Sequence, residues 1–60
     1  PDRPATEEEV YKAALQFVRK VSGYRKPSKV NQAAFDAAIA EVAAATRKML
    51  ETLSTKGSQA

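Results

Sequence analysis

From Ser28 to Leu53 the chain has neither Gly nor Pro, and Phe35, Ile39, Val42, Thr46, Met49, Leu50 and Leu53 recur at steps of three and four residues. That spacing places them on one face of an α-helix. A shorter segment repeats the pattern upstream. Val10, Ala14, Phe17 and Val21 lie along one line, and Tyr11, Leu15 and Val18 widen it. Thr6 and Glu9 form a T-x-x-E capping box at its start, with Glu7–Glu9 in the first turn, where the helix dipole favours negative charge. Arg19 and Lys20 sit in the last turn, ahead of a helix-ending Gly23.

Between the two helices, Gly23–Pro27 reads GYRKP, a turn in which Pro27 biases Lys26 away from helix, and Ser28 or Asn31 serves as the next N-cap. A short turn forces antiparallel neighbours. The prediction is thus an all-α antiparallel two-helix hairpin, about 6–22 and 28–53, in a single small domain spanning 1–60. Residues 1–5 would form an extended arm and 54–60 a frayed tail. In register, Val21 faces the Phe35 level, Phe17 the Ile39–Val42 level and Val10 the Thr46 level. Acidic Glu7–Glu9 then fall near basic Arg47 and Lys48.

Length changes this picture. A chain of 60 residues buries only about 60% of its unfolded surface, and much of its 43% apolar content is alanine. The second helix also outruns the first, leaving Met49, Leu50 and Leu53 without a mate in their own hairpin unless the 1–5 arm covers them. The favoured solution is a second chain, two hairpins making a four-helix bundle. The candidate self-association surface is Phe35, Ala38, Ile39, Val42, Met49, Leu50 and Leu53. Small residues at Ala34, Ala38 and Ala45, or at Ala37 and Ala44, would allow close approach of another helix. The plainer alternative is that alanine simply favours helix.

Charge adds one more feature. The net +3 is mild, but Arg19, Lys20, Arg25, Lys26 and Lys29 cluster around the turn. They are candidate anion or nucleic-acid contacts, with Tyr24 available to stack on a base. They could equally offset the first helix's C-terminus and keep the turn solvated, or meet an acidic protein partner.

The residues give catalysis little support. With neither Cys nor His, the chain has no thiol or imidazole chemistry. Asp36, Glu41 and Glu51 stand five and ten residues apart, a spacing that does not pair them on one face. No catalytic, cofactor-binding or metal-binding residues are predicted, and the chain reads as a non-enzyme without cofactors. It lacks a membrane-spanning run and a signal-like N-terminus, so a cytoplasmic setting is expected.

Several segments together (ATEEEV at 5–10, AALQFVRKVSG at 13–23, KPS at 26–28, Asn31, AF at 34–35 and EVAAATRKML at 41–50) resemble a family of short, uncharacterised bacterial helical proteins known only as a domain of unknown function. Its members begin with a Met-Cys-Arg-Asn segment that is not among these residues. The resemblance implies that Gln16, Arg19, Ser28, Asn31, Thr46 and Arg47 do more than coat the surface, bracing the turn or holding a ligand. The functional expectation is a non-catalytic module that self-associates, a homodimer being favoured, or binds a protein partner. The alternative is a small nucleic-acid-binding protein using the basic turn.

Overall fold

A computed structural model describes residues 5–57, and side-chain environments within 5–53. The chain is a helical hairpin: helix α1 (Glu7–Ser22), a short loop closed by one 3-10 turn (Lys29–Asn31), and helix α2 (Gln32–Gly57). There is no strand among the described residues. Pro1–Pro4 of the expected arm, and 58–60 of the expected tail, lie outside the described residues.

Both ends of α1 follow from local chemistry. Glu9 N–H donates to Thr6 Oγ1 at 3.1 Å and Thr6 N–H donates to Glu9 Oε1 at 2.8 Å, completing the capping box. At the other end Gly23 takes φ 81°, the left-handed conformation that closes a helix, and its N–H donates to Arg19 O at 2.9 Å.

The start of α2 differs from expectation. Ser28 precedes the 3-10 turn and its side chain makes no cap hydrogen bond. Asn31 ends that turn, with its N–H donating to Ser28 O at 3.0 Å. After Pro27 the chain tightens through one 3-10 turn before relaxing into α2, a common prelude to an α-helix. The far end differs too: α2 continues past Leu53 to Gly57.

The core is small: Val10, Ala14 and Val18 from α1 meet Phe35, Ile39 and Ala43 from α2, with Leu15, Ala38, Val42 and Leu50 partly buried around them. Both rows advance by four residues. Because four residues overshoot one turn by about 40°, such a row drifts around the helix and the contact line runs obliquely. This corrects the expected register. Phe17 and Val21 are 53% and 66% exposed, and Val18 occupies the place in the core that the straight line had given to them. Ala14 and Ala43 are among the most buried residues, at 2% and 4%. The close approach made by small side chains therefore lies inside the hairpin, at positions other than the alanine pairs singled out above.

The Arg47 Nη1 to Glu7 Oε1 contact, 3.2 Å, marks where α1 begins along α2. Beyond that level Leu50 still packs on the core, and among the described residues α2 then continues past the start of α1 to Gly57. The molecule is accordingly a rod, 46 × 17 × 16 Å.

Candidate functional site

Two surfaces hold the residues that the sequence singled out. The first is the turn. Arg19, partly buried, donates from Nε to the Arg25 carbonyl at 3.1 Å, so the last turn of α1 grips the loop that follows it. Tyr24 N–H donates to Ser22 Oγ at 3.1 Å. Asn31 Nδ2 reaches both Tyr24 Oη, at 3.5 Å, and Ser28 Oγ, at 3.3 Å. Tyr24 is thereby held at its backbone and at its hydroxyl, by residues from either side of the loop.

Beside these contacts lies an open cleft of about 480 Å³, whose walls include Phe17, Tyr24, Arg19, Lys20, Arg25 and Gln16. Arg19, Lys20 and Arg25 are brought together there, whereas Lys26 and Lys29 are not among the lining residues. Among the described residues no carboxylate lines the cleft. The sequence reading missed Phe17, assigning it to the core. The available signal was its place one turn ahead of Lys20 and directly before the basic turn.

The second surface is the open flank of α2. Phe35 and Ile39, both proposed for self-association, are buried at 8% and 3% against α1. Ala38, Val42 and Leu50 are partly buried against the same core, so Leu50, expected to lack a mate, finds one in its own hairpin, while Met49 and Leu53 are 50% and 55% exposed. Ala38, Val42, Ala45 and Met49 follow each other at steps of four, three and four, forming a stripe beside the buried Phe35–Ile39–Ala43 row. Thr46 turns its hydroxyl back onto the Val42 carbonyl at 2.7 Å, which hides its polar group from that stripe.

Among the described residues no group of three or more acidic side chains could hold a metal ion, and no helix is long and apolar enough to cross a membrane. Asp36 accepts two hydrogen bonds from Gln32 Nε2, at 3.0 and 3.1 Å, within α2.

Fold and surfaces define a class, the short all-α helical hairpin with a basic, braced turn. The chain belongs to the family described as "Uncharacterized conserved protein (DUF2277)", whose sequence model matches residues 2–60. Neither a curated protein nor a solved structure matches it.

Proposed function

We propose that the protein is a non-catalytic helical module that pairs with a second copy of itself through the open flank of α2. The observation that carries this reading is an excess of surface. The chain exposes 5008 Å² at a mass of 6.5 kDa, where a compact monomer of that mass exposes roughly 3,800 Å². The surplus, roughly 1,200 Å², exceeds the about 800 Å² that each partner contributes to a standard protein–protein interface. The radius of gyration agrees: it is 13.8 Å, against about 10 Å for a compact domain of this length.

The apolar side chains lie where a partner would use them. Met49 and Leu53 follow the level at which α1 begins, and the stripe from Ala38 to Met49 presents small and flexible side chains along α2. Two hairpins related by a twofold axis would bring each α2 flank against the other, giving a four-helix bundle with a self-complementary contact. The same reading puts the module in the bacterial cytoplasm.

Thermal unfolding over a hundredfold range of protein concentration tests it. Pairing couples folding to association, so the midpoint rises with concentration. A midpoint that does not move, in a chain that stays folded throughout, contradicts it and leaves a different protein as the occupant of the flank.

A further inference from the structure

The cleft at the turn takes no part in the pairing just proposed, and its chemistry is of another kind. Phe17 is 53% exposed and Tyr24 44% exposed, and both line the same cleft beside Lys20. Rings open to solvent and surrounded by cations have a surface suited to a flat, anion-bearing partner: the ring faces stack and the cations meet the charge. The cleft is open to solvent rather than enclosed, so a ligand would lie against it with one side exposed. Arg19 spends only Nε on the Arg25 carbonyl, so its Nη groups remain as donors. The C-terminus of α1 would by itself repel an anion. Here Gly23 N–H already satisfies the Arg19 carbonyl, and Arg19 and Lys20 bring positive charge to that last turn.

We propose that this cleft binds a nucleobase carrying a phosphate, either as a free nucleotide or as one residue of a single strand. Phe17 and Tyr24 supply the stacking surfaces, and Arg19, Lys20 and Arg25 hold the phosphate. The hydrogen bonds from Asn31 to Tyr24 and from Tyr24 to Ser22 set the tyrosine in place before the ligand arrives. A duplex, whose bases are already stacked, would reach only the cations.

The experiment uses the whole chain at low salt. Fluorescence anisotropy follows a dye-labelled ten-nucleotide single strand, with AMP, the matching duplex and polyglutamate as competitors. The single strand binds, added salt weakens it, and duplex and polyglutamate compete poorly. Displacement by AMP at similar concentration assigns the site to free nucleotides, and a much tighter single strand assigns it to nucleic acid. Tyr24→Ala weakens binding about 5- to 150-fold, the span of base–aromatic stacking, while Tyr24→Phe keeps most of it. Phe17→Ser, at an exposed helix position, provides the same loss without touching the turn. Binding of neither strand nor AMP overturns the proposal, as does polyglutamate or duplex competing as well as the single strand. So does unchanged affinity in Phe17→Ser. The mass of the protein in solution bears on the pairing alone, so the two proposals fail separately.

Discussion

Arg47 Nη1 donates to Glu7 Oε1 at 3.2 Å across forty positions of sequence, joining the first turn of α1 to the middle of α2. Its Glu7 side chain is 77% exposed and its Arg47 side chain 40%. Exposed pairs of this kind contribute about 0.2–1 kcal/mol. A double-mutant cycle with Glu7→Gln and Arg47→Gln, read by urea unfolding, should give a coupling in that range that shrinks in high salt. Zero coupling at low salt would show that the pair follows the register without supporting it.

Ile39, only 3% exposed, lies in the central row of the core. Ile39→Ala should cost about 2–5 kcal/mol, enough to unfold so small a protein at low concentration. The buried alanine beside it, Ala43, should respond in the opposite sense of size. Ala43→Leu overfills the gap between the helices and costs about 1–3 kcal/mol, whereas Ala44→Leu, exposed one position on, changes stability by less than about 0.5 kcal/mol. Urea midpoints of the three variants distinguish them; equal effects at 43 and 44 would contradict the arrangement of the core.

Much of this arrangement is legible in the sequence, and its failures have physical causes. The capping box at Thr6 and Glu9, the glycine stop at Gly23 and the antiparallel return all follow from local rules, as does the meeting of Glu7 with Arg47. The register fails at Phe17 and Val21 because an apolar stripe broader than the contact does not say which of its rows will be buried. Rows advancing by four chose Val18. The close approach through Ala14 and Ala43 is hidden because alanine in a helix looks the same whether it is buried or merely helix-forming. The cleft was half visible. Its cations cluster in the sequence, but the helical spacing of Phe17 points it inward.

The helix ends make a paired test. Thr6→Ala removes a side chain that accepts from Glu9 N–H and should cost about 0.5–2 kcal/mol. Ser28→Ala, where no side-chain cap bond exists, should cost less than that. Thermal unfolding monitored by circular dichroism compares the two, and a larger loss at Ser28 would contradict the cap assignment.

Gly23 offers a cleaner backbone test, since a Cβ there would meet nothing within 4 Å. Only the left-handed φ of 81° opposes a side chain. Gly23→Ala should therefore destabilise by about 1–2 kcal/mol through conformation alone, and Gly23→Asn by less, because asparagine tolerates that region better. Equal losses in the two variants would point to some cause other than backbone conformation.

A solvent-facing charge should act on assembly rather than on the hairpin. Met49→Asp sets a carboxylate on a half-exposed position of the α2 flank, where it would be buried on pairing and repelled by its own copy. The variant should keep its helicity at high concentration yet lose the concentration dependence of its midpoint. Retained dependence would move the contact elsewhere on the rod.

Sedimentation equilibrium of the intact chain, from low micromolar to near-millimolar concentration, bears most directly on whether the uncovered flank of α2 belongs to an interface. Pairing predicts a mass that rises to twice 6.5 kDa and levels off there. A mass that holds at 6.5 kDa across the whole range, with full helicity, contradicts it.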